Sequence, residues 1–164
     1  MLLTVQIVRY VDNHFPGWVE CEFLDAENHR HTLVEKVPVV SIEDFGPDTS
    51  YPQTGGVRCE ILARWHDDRG RELVRVTTSR PDGVESTEGV SDFVMLSSSV
   101  VSAEATIAEL KKNAAECEEK LKTEPDRTVA VLRHKANVYR EWIAALKGGH
   151  WTSAIAKSYP LVRG

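Results

Sequence analysis

The sequence predicts an α+β fold in which a small antiparallel β barrel or rolled sheet is followed by a C-terminal antiparallel helical hairpin. Up to residue 102, Val, Ile, Thr and aromatic residues recur at every second position, which is typical of half-buried strands. From residue 103 the apolar residues follow one another by steps of three and four, which is typical of packed helices. We therefore divide the chain into an acidic antiparallel β domain (1–102), a helical hairpin (103–149) and a C-terminal tail (150–164).

Six segments of the β domain are predicted to be strands, at 2–10, 18–24, 31–40, 57–65, 71–79 and 91–97. In the second segment, alternation places Val19, Cys21 and Phe23 on one face and the two glutamates on the other. In the fourth segment the same rule places Arg58 on the outward face. We expect the strands to roll up because closure removes exposed sheet edges.

Two turns and one long loop connect these strands. Residues 66–70 are expected to close a hairpin, and residues 80–83 form a second turn because they contain Pro and Gly. The connection 41–56 has no periodic pattern and is longer than most loops of a compact domain. Its Phe45 and Tyr51 either fix the loop to the barrel or face a partner protein as anchors.

The apolar stripes of the two helices are predicted to pack against each other. The first stripe is Ile107, Leu110, Ala114, Cys117 and Leu121, and the second is Val129, Leu132, Ala136, Tyr139, Ile143 and Leu146. Thr123 is the expected N-cap of the second helix, and the glycines at 148 and 149 end it.

A second apolar row on the second helix contains Val131, Val138, Trp142 and Ala145, and the first helix alone cannot cover it. The β domain, a second copy of the chain or a foreign protein is expected to pack there. A homo-oligomer through the helical hairpin is therefore one expected assembly.

The charge is unevenly distributed along the chain. Residues 1–102 hold nine basic and seventeen acidic side chains and carry a net charge of −8, whereas residues 103–164 carry +3. Residues 127–164 alone carry +6. The acidic β domain repels phosphate, so we expect binding to nucleic acid to be disfavoured, with the basic second helix as the alternative that keeps a nucleic-acid-associated regulator open.

His29, His31 and His66 are weak candidates for metal ligands. His29 and His31 lie two apart and face the same side of a strand, so a third ligand such as His66, His14 or Asp67 would complete a zinc site. Cys21 is too far along the strand to share that ion, because metal ligands sit about 2 Å from their ion. We favour histidines near a turn over a metal site, and a metal-dependent enzyme remains an alternative.

No catalytic motif appears in the sequence: it has no GxSxG elbow, no HExxH and no phosphate-binding loop. The three cysteines are expected to be buried thiols rather than disulfides, and no cofactor is expected. The apolar N-terminus is interrupted by Gln6 and Arg9, so it is interpreted as a strand and not as a signal peptide, and we expect no membrane insertion and a cytoplasmic location.

These observations favour a non-enzymatic protein that binds a protein partner, most simply a basic one, as an immunity protein, an antitoxin or an adaptor does. Phe15 and Trp18 surround a Pro-Gly turn and are candidate contact residues. The other candidates are Phe45 and Tyr51 in the long loop, with Val131, Val138 and Trp142 on the second helix.

Overall fold

The computed structural model describes residues 1–122 and 126–147, and the side chains of residues 126 and 127 are not described. Contacts divide the chain into two compact units, Met1–Val101 and Ser102–Gly164, which we call the β unit and the helical unit and treat separately. The predicted tail 150–164 and the predicted N-cap at Thr123 lie outside the described residues.

The β unit contains eight strands, one short α-helix and a 3₁₀ helix at Ser97–Ser99. The strands are β1 (Leu2–Asp12), β2 (Trp18–Leu24), β3 (Arg30–Lys36), β4 (Gln53–Arg58), β5 (Glu60–His66), β6 (Glu72–Thr77), β7 (Asp92–Leu96) and β8 (Val100–Val101), and the α-helix is α1 (Val37–Val40). All strand pairs are antiparallel. The predicted α+β class is confirmed, and the rolled sheet is the correct one of its two forms because the described strands do not close into a barrel.

Two sheets enclose one hydrophobic core. The first has the strand order β3-β2-β1-β4, with β8 also paired to β1, and the second has the order β5-β6-β7. Phe23 of the first sheet and Phe93 of the second pack edge to face with ring centroids 4.9 Å apart. The alternation of β2 is as predicted, since Val19, Cys21 and Phe23 all belong to this core.

The chain departs from the predicted strands where its backbone changes direction. The predicted strand 31–40 ends at Lys36, because the helical turn α1 begins at Val37 and its Pro38 cannot donate to a sheet. The predicted strand 57–65 is two strands that belong to different sheets and meet at Cys59. Arg58, predicted to face outward, is instead 4% exposed because its guanidinium pairs with Asp82.

Three five-residue turns in the β unit share one hydrogen-bond pattern, at residues 25–29, 67–71 and 86–90. In each, the side-chain oxygen of the first residue accepts the backbone N–H groups two and four residues later. The backbone N–H of the first residue donates to the carbonyl of the fifth. The fourth residue has a positive φ: 65° at Asn28, 74° at Gly70 and 75° at Gly89. Asn and Gly are favoured there because other residues clash in this conformation.

The helical unit contains α2 (Ala103–Lys120) and α3 (Asp126–Leu146), which pack together. The hydroxyl of Ser102 caps α2 by accepting the N–H of Ala105 at 3.1 Å. The buried residues of the two helices are Leu110, Ala114, Cys117, Ala136, Tyr139, Trp142 and Ala145.

The residues of the second apolar row of α3 differ in how far they are buried. Trp142 is 5% exposed and Val138 is half-buried, whereas Val131 is 55% exposed. Trp142 is thus covered within the chain, which is one of the coverings expected for this row, and a role of the row in binding a partner stays a prediction. None of the helices in residues 1–122 and 126–147 has the length and apolar character needed to span a lipid bilayer.

Candidate functional site

The candidate metal ligands His29 and His31 converge on one carboxylate. His29 Nδ1 lies 3.3 Å and His31 Nε2 lies 3.1 Å from Oδ2 of Asp25, which is the first residue of its turn. Burial opposes the ionisation of Asp25, but N–H groups from His29, His31 and Glu27 outweigh it and lower the pKa of Asp25 below its usual value. The cluster therefore acts as a hydrogen-bonded turn.

The ring of His31 packs against two aromatic rings of the hydrophobic core. Its ring stacks on Phe23 at 5.2 Å and meets the edge of Phe93 at 4.8 Å. With Nε2 donating to Asp25, Nδ1 is buried and has no hydrogen-bond partner in the described part of the chain. This packing fixes His31 between the two sheets and keeps its second nitrogen away from solvent.

The third ligands proposed from the sequence have other contacts. Asp67 accepts the Nε–H of Arg71 at 2.7 Å within its own turn, and His66 lies at the exposed end of β5 opposite Glu72. No cluster of three or more His, Cys, Asp or Glu residues among those described could hold a metal ion. The geometry thus supports the turn rather than the zinc site.

Arg71 joins the first two turns to each other. Besides Asp67, it donates from Nη1 to the carbonyl of Ala26 at 2.8 Å and from Nη2 to Glu27 at 3.3 Å. The N–H of Ala26 donates to the carbonyl of Val94 at 2.8 Å. The β2–β3 turn is therefore fixed against the second sheet from both sides.

Burial keeps two cysteine thiols of the β unit in their protonated form. Burial raises the pKa of the Cys21 thiol to about 12 and that of the Cys59 thiol to about 11. Because the thiolate is the nucleophile, these side chains are unreactive in the folded protein. Their positions agree with the prediction that both face the core.

The long loop is fixed to the β unit by the two aromatic residues proposed as anchors. Phe45 and Tyr51 lie against the hydrophobic core and against each other, with centroids 6.2 Å apart. The Tyr51 hydroxyl donates to the carbonyl of Gly46 at 3.0 Å. Of the two roles predicted for this pair, these contacts therefore support packing of the loop against the β unit.

Phe15 and Trp18 differ in their surroundings although both flank the turn between β1 and β2. Phe15 is 63% exposed at the tip, whereas Trp18 is half-buried at the start of β2. The ammonium of Lys36 lies 5.2 Å from the centre of the Trp18 ring, which is a cation–π contact.

The acidic charge of the β unit remains in excess after its ion pairs are formed. The paired arginines and their carboxylates are Arg9–Glu20, Arg30–Glu22, Arg58–Asp82, Arg64–Glu72, Arg71–Asp67 and Arg80–Glu60. Glu85, Glu88 and Asp92 are exposed, and no cation of the described residues pairs with them. We call residues 85–91, together with Asp92 at the start of β7, the acidic loop.

The acidic loop is held rigidly by its own backbone. Its 86–90 turn is closed by Ser86, and the N–H of Thr87 donates to the carbonyl of Thr32 in β3 at 2.8 Å. Val90 is 38% exposed on the same turn. The loop therefore presents carboxylates and an apolar side chain in a fixed arrangement.

Strand β5 is exposed along most of its length, and the sequence analysis missed this feature. Six of its seven residues are exposed, including Leu62 and Trp65. Strict alternation predicted a half-buried strand, but a bulge between Ile61 and Ala63 shifts the register. The sequence signal for this exposure is the polar and aromatic run at residues 64–66. After Ala63 this run offers no aliphatic side chain to the core.

A cleft of about 370 Å³ opens beside Thr4 and Val5 of β1, which pair with β4 on one side but lie between the ends of β8 and β2 on the other. The core residues Val5, Phe23 and Met95 line it together with Ser98 and Ser99. Its size falls within the range of small-ligand sites, although the cleft is open to solvent.

Comparison of the chain with family profiles, curated proteins and solved structures found no match.

Proposed function

We propose that this chain acts by binding another protein and that the acidic loop of its β unit meets a positively charged surface of that partner. The unneutralised carboxylates Glu85, Glu88 and Asp92 are the observation that carries the proposal. Opposed charges speed the encounter of two proteins and disfavour partners of the wrong charge. An immunity protein, an antitoxin or an adaptor would use such a surface.

The rigid turn strengthens this proposal on energetic grounds. Because the backbone of residues 86–90 is already hydrogen-bonded, little conformational entropy is lost when a partner binds. Val90 supplies apolar area beside the carboxylates, as interfaces combine charged rims with apolar contacts. The buried, unpaired thiols suit a reducing compartment, so we place this activity in the cytoplasm.

A homo-oligomer is the second proposal, and exposed Val131 on α3 supports it. The nucleic-acid alternative is less favoured because Arg140 of the basic helix already donates to Glu118 of α2. Light scattering on the full chain tests self-association, and Val131→Asp should reduce it if the exposed part of the row forms the contact.

Affinity capture with the tagged full chain tests the proposed function. A variant with Glu85→Gln, Glu88→Gln and Asp92→Asn should recover its stoichiometric partner with about tenfold lower affinity at low salt, and the difference should shrink as salt increases. The matched control replaces Glu104, Glu109 and Glu116 of α2 with Gln. Equal capture by both variants, or no stoichiometric partner for the unaltered chain, would contradict the proposal.

A further inference from the structure

We propose that β5 is a docking edge on which an extended segment of the partner adds as a further antiparallel strand. This inference rests on the proposed function, protein binding, and adds to it the binding element and the conformation of the bound segment. It is carried by the open edge of β5 and by the exposure of its two faces.

Two other outer strands, β3 and β7, have their outer edges bonded by the chain itself. The edge of β3 is bonded by Ser86 and Thr87, and the edge of β7 by Ala26. Helix α1 packs against β4, where the carbonyl of Val40 lies 2.7 Å from the position that a β-carbon would take at Gly55. Within the described residues, β5 pairs with β6 on one side and with nothing on the other.

The register shows which backbone groups point outward. At the end of the β5–β6 hairpin, the N–H of Asp67 donates to the carbonyl of Arg71. Alternate residues of an antiparallel strand bond to the same neighbour, so Ala63 and Trp65 bond to β6. Arg64 and His66 therefore direct their N–H and C=O groups away from the sheet, where they can pair with another strand.

The faces of β5 also determine what kind of segment fits. Arg64 is opposite the core residue Val74, so Ala63 and Trp65 project from the other face, where Leu73 adjoins Trp65. A strand laid against this edge would place alternate side chains beside Ala63 and Trp65. An extended segment with apolar, β-branched residues at those alternate positions is the occupant that this edge favours.

Proteins usually protect an exposed edge strand, and β5 is protected along half of its length. The bulge at Leu62 twists the strand near its start, as bulges do at natural sheet edges. The stretch Ala63–His66 remains regular and uncovered. The bound segment is thus expected to be short and to centre on Arg64 and Trp65, as in other cases of strand addition.

A defined peptide tests this inference on the full chain. The probe is a short capped peptide that alternates valine and threonine and has a lysine at each end. Hydrogen exchange followed by NMR should show at least about tenfold slower exchange of the Arg64 and His66 amides when the probe is added. The same peptide with N-methyl groups on alternate residues lacks the required donors and should give no protection.

Two variants at position 64 distinguish the contribution of the backbone N–H to binding from that of the side chain. Arg64→Pro removes an outward N–H that β6 does not use and should weaken probe binding about tenfold, whereas Arg64→Ala keeps that N–H and should change binding by less than about threefold. No protection in the unaltered chain, protection at other amides, or equal binding by both variants would overturn the inference. Slowed exchange at Arg64 and His66 that depends on protein concentration without peptide would assign the edge to a second copy and also overturn it.

The two proposals fail separately. A captured partner whose affinity is unchanged by Arg64→Pro would leave protein binding intact and remove β5 from it. If no stoichiometric partner is captured but the probe still protects the β5 amides, β5 remains a strand-pairing site and the proposed role of the acidic loop in protein binding is rejected.

Discussion

Arg58 and Asp82 form a two-pronged ion pair inside the β unit, where their side chains are 5% and 7% exposed. Nε of Arg58 donates to Oδ2 of Asp82 at 2.7 Å, and Nη2 donates to Oδ1. Asp82→Ala leaves a buried guanidinium without this carboxylate and should lower the free energy of unfolding by about 3–5 kcal/mol. Chemical denaturation of both proteins measures the difference.

The double change Arg58→Met and Asp82→Leu provides the control for this ion pair. It removes both charges and should be much less destabilising than Asp82→Ala, because no uncompensated charge stays buried. A loss below about 1 kcal/mol for Asp82→Ala would contradict the interpretation.

The shared turn pattern predicts which glycines the fold requires. Gly70 and Gly89 have positive φ, and a β-carbon at either would meet no atom within 4 Å, so any cost of alanine is a backbone cost. Gly70→Ala and Gly89→Ala should each lower the free energy of unfolding by about 1–2 kcal/mol. Gly46, equally open but without a positive φ, is the matched control, and Gly46→Ala should be neutral or slightly stabilising. Equal effects of all three changes in thermal unfolding would contradict this prediction.

Glu35 should make the β unit less stable at neutral pH than at moderately acidic pH. Burial raises the pKa of Glu35 above 4.5, with the charge of Asp82 adding to the effect against the N–H and charge of Lys36. A carboxyl whose folded pKa exceeds its unfolded pKa binds more protons when folded, so stability is lost as the pH rises from the unfolded to the folded pKa.

Glu35→Gln tests this pH dependence because the amide does not titrate. The variant should be more stable than the unaltered chain at pH 7, and its advantage should disappear as the pH falls through the window above 4.5 towards the unfolded pKa. Urea denaturation over a pH series measures it, and a constant difference at every pH would refute the assigned cause.

The two halves of the second apolar row of α3 should respond differently to mutation. Trp142 is buried, so Trp142→Ala should cost about 3–5 kcal/mol through lost packing. Val131 is 55% exposed, so Val131→Ala should change the free energy of unfolding by less than about 0.5 kcal/mol. Circular dichroism during denaturation provides the measurement, and a similar cost at both positions would show that Val131 is covered in solution.

Cys21 and Cys59 should resist alkylation until the β unit unfolds. Their thiol pKa values of about 12 and about 11 leave almost no thiolate at pH 8. Iodoacetamide labelling read by mass spectrometry should be at least about a hundredfold slower at these positions than in the denatured chain. Labelling of either at the denatured rate under native conditions would show local opening of the core.

The predictable part of this fold is the part set by local periodicity. Alternation located β2 correctly at Trp18–Leu24, and the change of period located the start of α2 at Ala103. The two-residue strand β8 and the turn α1 are too short to produce a period, so their positions depend on tertiary packing.

Residues with long-range partners were the least predictable. Nothing near Arg58 in the sequence indicates that Asp82, 24 positions later, will neutralise it in the interior. The exposure of β5 also depends on which sheet its neighbours join, because the chain changes sheets at Cys59. Phe45 and Tyr51 pack against the hydrophobic core, which is one of the two roles expected for them, whereas the sequence does not indicate which carboxylates, such as Glu85 and Glu88, have no cationic partner among the described residues.

The contacts of Arg71 also constrain how the β unit can open. One guanidinium holds Asp67 in its own hairpin and the Ala26 carbonyl and Glu27 in the other. Fraying of the 67–71 tip therefore removes the donors of the Ala26 carbonyl and Glu27, and fraying of the 25–29 tip removes these two acceptors from Arg71. The tips thus form one cooperative unit although about forty residues of chain separate them. Sequence distance is thus a poor guide to which parts of this protein come apart together.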